Sequence, residues 1–248
     1  MEKILEKVVN SSANLILILN FILVIYVFSK REQIYKFSLK WIFFLLVGTL
    51  LYSLLEQVLV NYILVSKFIF YKSHILPLIK KLKIVDMNFL AFINYLIKFI
   101  FLSLFFRDLF QDPLKKRFFQ YLMYALVVFE LVQVFVFKSY QGYDSLSSTV
   151  KNVFILGSTG LFMYKLYRAD SHGITLYKNP YFWLTLGLML PALAEIFLEF
   201  IFTKLYQTDL LSFYKLYLVR NASQIVGFTL LIVGVWQAKH LRFLPKEY

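Results

Sequence analysis

The sequence predicts an all-α membrane bundle of seven transmembrane helices, with one further helix lying at the interface. Three observations carry that prediction. The 248 residues are 60% hydrophobic and 20% aromatic, with a mean hydropathy of +0.68, whereas soluble domains are about 45–50% apolar. The apolar residues form continuous runs near the ~20 residues that a helix needs to cross a bilayer, with none of the alternation of a barrel strand. The charges gather between the runs. No stretch is polar enough to stand as a separate soluble domain, so residues 1–248 read as one transmembrane domain.

In order, the predicted spans are Ser12–Ser29, Trp41–Val65, Asn88–Phe106, Phe118–Phe137, Thr149–Tyr167, Phe182–Thr203 and Val219–Ala238. The first run is too long for a signal-peptide core, its head MEKILEKVV is charge-balanced, and Lys30-Arg31 follow it, so it reads as a retained span. The second loop contains ILPLIKKLKIV, residues 75–85. Ile75, Leu78, Ile79 and Leu82 share a face that Lys80, Lys81 and Lys83 mostly avoid, which predicts a helix lying flat on the outer surface. Asp112-Pro113 and Asn179-Pro180 are turn or helix-entry signals. Gly157-Ser-Thr-Gly160, and Ser223 with Gly227, offer small-residue faces for close helix approach. Asn10 and Asn221 begin glycosylation-type triplets, of a length that matches by chance.

The formal charge of +13 would suggest nucleic acid in a soluble protein. Here the basic residues flank apolar runs and suit anionic lipid headgroups, so the bilayer is the expected partner and nucleic acid is not. An odd number of spans separates the termini. Fourteen of the 27 basic residues then fall on the side of the C-terminus and twelve on the other, with Lys98 inside a span. Lys30-Arg31 and the shared edge of Trp41, Trp183 and Trp236 agree with that alternation. The expected orientation has the N-terminus outside and the C-terminus in the cytoplasm.

The bundle is expected to centre on Gly187–Phe202, GLMLPALAEIFLEFIF. Glu195 and Glu199 are four residues apart and share a helix face. A carboxylate near the bilayer centre costs roughly 2.5–3.5 kcal/mol on insertion scales, so both should face protein or water. Pro191 cannot donate to the carbonyl of Gly187, which marks these two residues as a hinge. Other spans carry polar groups at a matching depth, in the outer half: Glu56, Gln57 and Asn61 in the second, Asn94 and Lys98 in the third, Glu130 and Gln133 in the fourth, and Arg220, Asn221 and Gln224 at the start of the seventh. Most form i,i+3 or i,i+4 pairs, hence one-sided stripes. The stripes predict a polar pocket open to the outside and closed inside by an apolar plug, with packing glue as the alternative role. Lys98 should pair with a carboxylate, Glu195 ahead of Glu130.

Several chemistries are excluded or demoted. Without cysteine there are no disulfides, thiolate metal sites or Cys nucleophile. The last span has no lysine for a retinal Schiff base. His74 falls on the opposite side from His172 and His240, so a three-histidine zinc site does not assemble. No catalytic, metal-ligand or cofactor motif is found. Asn179 to Trp183, NPYFW, followed by Gly187, with the span order and the tail LRFLPKEY, resembles orphan seven-helix membrane proteins of Bacteroidota. The resemblance implies a sensory or accessory role in an inner membrane. The expected function is a binding or sensory membrane protein with an outward pocket, acting through a membrane or cytoplasmic signalling partner. The alternatives are a small ion- or proton-coupled transporter, which would favour broken helices and internal symmetry, or a structural subunit of a membrane complex.

Overall fold

The computed structural model describes residues 2–34, 38–65, 76–82, 90–110, 112–141, 144–169 and 176–238. Helices occupy nearly all of them. They are α1 (Glu2–Ser29), α2 (Arg31–Ile34), α3 (Leu39–Val65), α4 (Leu76–Lys81), α5 (Ala91–Leu109), α6 (Pro113–Phe135), α7 (Ser145–Ala169), α8 (Pro180–Thr208) and α9 (Leu210–Trp236). Each of the seven expected spans therefore falls largely on a long helix, with residues 88–89 of the third outside the described residues. Five of these, α1, α3, α6, α8 and α9, contain segments long and apolar enough to cross a membrane, as a multi-pass membrane protein requires. The helices α5 and α7 carry more charge and polarity, including Lys98, Arg107 and Asp108 on one and Lys151, Lys165 and Arg168 on the other. Of the predicted interfacial helix, α4 is present as a six-residue helix, and Ile75 and residues 83–85 lie outside the described residues. So do His74, His172, His240 and the LRFLPKEY tail.

Hydropathy sees only bilayer-length apolar runs, while helix ends are set by caps. Asp112 accepts from the amide of Leu114 at 3.0 Å with Pro113 behind it, and Asn179 accepts from the amide of Tyr181 at 3.0 Å with Pro180 behind it. Proline suits a first helical position because its missing N–H has no intrahelical partner there. The largest revision falls between the last two spans. A loop of about fifteen residues was expected from Lys204 to Leu218. Instead α8 and α9 are joined through Asp209 alone. Its amide donates to the Leu205 carbonyl at 2.8 Å and its carboxylate accepts from the amide of Ser212 at 3.1 Å. One residue closes one helix and opens the next.

Consecutive packing runs α1–α3–α5–α7–α8–α9 and back to α1, a closed ring, with α6 laid against α5. α8 and α9 make the most extensive contact. Their backbones meet at Gly187 and Gly227: a methyl group on Gly227 would stand 2.7 Å from the Gly187 carbonyl oxygen and 2.5 Å from Pro191 Cγ. The Ser223/Gly227 face thus serves close approach as expected. Gly157 and Gly160 do not, since a Cβ on either meets open space.

Aromatic rings fill the end of the bundle where α5 ends and α6 and α8 begin. Phe110 stacks on Phe119 at 5.4 Å and meets Phe162 edge-on at 5.9 Å, Phe106 stacks on Phe119 at 5.7 Å, and Tyr181 touches both Phe105 and Phe162. All five phenylalanines are almost fully buried. Rings of this size dominate core energetics, and each good pair adds about 0.5–1.5 kcal/mol beyond burial.

Candidate functional site

Helix α7 buries polar side chains at Ser147 and Ser148, Lys151 and Asn152, and Ser158 and Thr159. That spacing of three and four keeps them on adjoining inner faces of one helix. Helix α8 answers with Glu195 and Glu199, each 7% exposed, so both carboxylates face the bundle as the sequence required. The helix assignment runs unbroken through Pro191.

Glu195 is the centre of the cluster. Lys151 Nζ stands 2.6 Å from Oε2, Gln224 Nε2 donates to Oε1 at 2.8 Å, and Arg220 Nε lies 3.6 Å from Oε1. Lys151 is only 4% exposed. An ion pair this deep gives little net stability against a well-packed apolar pair, but removing one partner alone typically costs 3–5 kcal/mol. Lys98 is within electrostatic range of Glu195, Lys151 and Arg220, yet it makes no hydrogen bond or ion pair among the described residues. The expected Lys98–Glu195 pair is therefore replaced by Lys151–Glu195. Lys151 lies about two turns into α7, at the level where Glu195 arrives, and its ammonium also sits 5.8 Å from the centre of the Tyr95 ring.

One turn nearer the start of α7, Ser148 Oγ donates to Glu199 at 3.1 Å, and Tyr95 has Glu199, Asp144 and Glu130 within electrostatic range. The first helix joins this layer, which the sequence reading missed. Asn221 Nδ2 donates to Ser12 at 2.8 Å, and Gln57 Nε2 reaches Asn14 Oδ1 at 3.5 Å. Asn221 is 3% exposed and tied into the packing, which removes it as a glycan acceptor.

The remaining expected residues distribute as follows. Glu56 is half-buried on α3 beside Tyr52. Asn61 belongs to the same helix, and its side chain lies outside the described residues. Gln133 is buried on α6, and Asn94 on α5 has a buried side-chain oxygen without a hydrogen-bond partner among the described residues. Glu130 is 0% exposed, and among the described residues neither carboxylate oxygen meets a donor at hydrogen-bond geometry. Asn152 is equally buried, with both amide atoms unpartnered among the described residues. Arg220 is not at a helix start: α9 begins at Leu210, so the guanidinium belongs about 15 Å into the helix at 1.5 Å per residue.

Charge in the deeper layer is unbalanced. Among the described residues, three basic side chains, Lys98, Lys151 and Arg220, lie around one carboxylate, Glu195. The neighbouring layer has the opposite sign, with Glu130, Asp144 and Glu199 around Tyr95. The arrangement suits binding of charged groups at two levels, above a floor of stacked phenylalanines. No protein-family model, curated protein or solved structure matches the chain.

Proposed function

We propose that this chain is a seven-span inner-membrane binding protein whose polar site opens outward, takes a ligand with an anionic group, and signals through a partner protein. The surplus of positive charge around Glu195 carries the reading. Lys98 stands in that layer without an ion pair among the described residues, and an anion is what such a lysine lacks. The helices α5 and α7 bring the total of spans to seven in this reading. Their polarity is the kind that transmembrane helices carry when it faces the bundle interior.

Orientation is supported by a revised charge distribution. Lys151 and Arg220, placed among the twelve outer basic residues by sequence, lie within helices and line the site. Removing those two leaves fourteen against ten, which favours a cytoplasmic C-terminus. The site then faces out and the aromatic floor faces in. Binding is preferred to transport because the rings of Phe110, Phe119 and Phe162 pack directly on one another at that end.

The test is a thermal-shift screen of purified protein in detergent against small carboxylates, phosphate, sulfate and amines at constant ionic strength. Anions are expected to raise the unfolding temperature, with Lys98→Met losing the shift while staying folded. Stabilisation by amines alone, or anion shifts unchanged in Lys98→Met, would reject the reading.

A further inference from the structure

Two lysines from different helices meet at the aromatic end of the bundle, away from the Glu195 layer. Lys115, in the first turn of α6, holds its ammonium 5.4 Å from the centre of the Phe110 ring. Lys165, near the end of α7, holds its own 5.2 Å from the same centre. Phe110 is buried, and Phe119 stacks on it nearly parallel at 5.4 Å, so the ring has a fixed place. Each ammonium is attracted to the ring. The two also repel, since they stand no more than about one Debye length apart. Counter-charge is short among the described residues. Asp112 Oδ2 lies 3.9 Å from the Lys115 ammonium, while Asp112 Oδ1 accepts from the amide of Leu114. Lys165 makes no ion pair or hydrogen bond among the described residues. Arg168, one turn beyond Lys165, lies over the Tyr164 ring at 4.8 Å and adds to the positive charge at this corner.

The apolar segment of α6 that is long enough to cross a membrane starts at Pro113, which puts Lys115 at the level of the lipid headgroups. Along the same helix Leu114, Phe118 and Tyr121 are strongly exposed and, at i, i+4 and i+7, share one face. Ammonium groups at the membrane edge with an uncovered apolar stripe beneath them match the two parts of a lipid, a charged head and hydrocarbon below it. We propose that the Lys115–Lys165 pair binds the phosphate of one anionic phospholipid, with an acyl chain laid along the Phe118 face of α6. Lysine binds phosphate as a point charge, and a phosphate shared by the two ammoniums replaces their repulsion with two attractions. A zwitterionic lipid brings its own cation to a corner already crowded with them, so a net negative headgroup is selected. The inference is independent of the anion-binding reading at Glu195, because its residues lie at the other end of the bundle and its variants leave Lys98 and Glu195 in place.

The experiment releases the full chain from nanodiscs made of equal parts phosphatidylglycerol and phosphatidylcholine and counts the retained lipids by native mass spectrometry. Preferential retention of one phosphatidylglycerol is expected, together with a rise in unfolding temperature when that lipid, and not phosphatidylcholine, is added to protein in detergent. In the variant carrying both Lys115→Met and Lys165→Met, retention of phosphatidylglycerol should fall to the level of phosphatidylcholine and the rise should be lost. A control carrying Lys7→Met and Lys215→Met removes the same charge at the other end of the bundle and should keep both. In lipid-free detergent the Lys115/Lys165 variant should be no less stable than the parent, because a repulsion is gone, and that comparison separates loss of the site from loss of the fold. Equal retention of the two lipids overturns the proposal, as does an equal loss in the control, which would mean diffuse attraction by net charge. The same rise with inorganic phosphate alone overturns it by assigning a soluble anion, and a Lys115/Lys165 variant destabilised without lipid overturns it by showing that the pair is not in repulsion.

Discussion

Lys151 shows what the chemistry of a residue is worth once its depth is known. In the sequence it looks like one more basic residue at the mouth of a span. In the structure it is the counter-charge of Glu195. Lys151→Met and Glu195→Gln are each expected to lose about 3–5 kcal/mol, the usual result of stranding one buried charge. The double variant should lose less than the sum, with Gln224 and Arg220 limiting the recovery. Denaturant titration in detergent of both singles and the double measures the coupling, and strict additivity is the contrary result. Asp209 gives a residue-scale prediction with a pH sign. Hydrogen bonds from the Ser212 side chain and amide hold its carboxyl below the ordinary range. Its contribution is complete above about pH 4, the ordinary Asp range, and is lost as pH falls through the lower folded-state value. Asp209→Ala should therefore be less stable than the parent at pH 7, with the difference shrinking toward pH 3 in paired thermal melts. A gap that widens on acidification contradicts this.

At the scale of elements, the glycines separate two kinds of small-residue motif that look alike in sequence. Gly227→Ala should destabilise by about 1–3 kcal/mol, since the new methyl meets the Gly187 backbone and the Pro191 ring, neither of which can swing aside. Gly157→Ala meets nothing and should gain up to about 1 kcal/mol from helix propensity. Detergent unfolding of the two variants side by side checks the contrast, and equal effects would refute it. The location of the seven long helices was legible from long apolar runs, of which five are long and apolar enough to cross a membrane. Their ends were not, because Asp112, Asn179 and Asp209 act through single capping bonds that hydropathy ignores. The inward-facing pair Glu195/Glu199 was legible because charge is costly in lipid. The stripe on α7 was readable in principle, from Ser148, Lys151/Asn152 and Ser158/Thr159 at helical spacing, but small hydroxyl side chains read equally well as packing surface. The partner of Glu195 depended on rotation and register of α5 against α7, which no single helix encodes.

Across the whole molecule, polarity is sorted by level. Ser12, Asn14, Gln57, Glu130, Ser148, Glu199 and Asn221 collect toward one end, and rings of phenylalanine toward the other. The tryptophans fit the same division. Trp41 at the start of α3 donates to Asp108 near the end of α5 at 2.6 Å, and Trp183 near the start of α8 donates to the Tyr177 carbonyl at 2.8 Å. In the proposed orientation the aromatic end faces the cytoplasm, so a reporter active only in the cytoplasm and fused after Tyr248 should be active. A reporter that works only outside the cytoplasm should be silent at that position. The reverse pattern would invert the molecule, and the polar site would then face the cell interior.

The meeting of Gly187 with Gly227 has a consequence for how the chain is made. Pro191 has no amide hydrogen, so the carbonyl of Gly187 lacks its usual partner four residues on. In the finished protein that oxygen faces the Cα–H side of Gly227, where a weak C–H···O contact forms in the absence of any side chain. During synthesis α8 emerges from the ribosome before α9 exists. For that interval it would offer lipid a bare carbonyl and two carboxylates, each costly in hydrocarbon. With Asp209 as the sole residue between them, the two helices are expected to leave the translocon together, as a hairpin, and nascent chains in which α8 has emerged without α9 should remain crosslinkable to the insertion machinery until the segment around Gly227 follows.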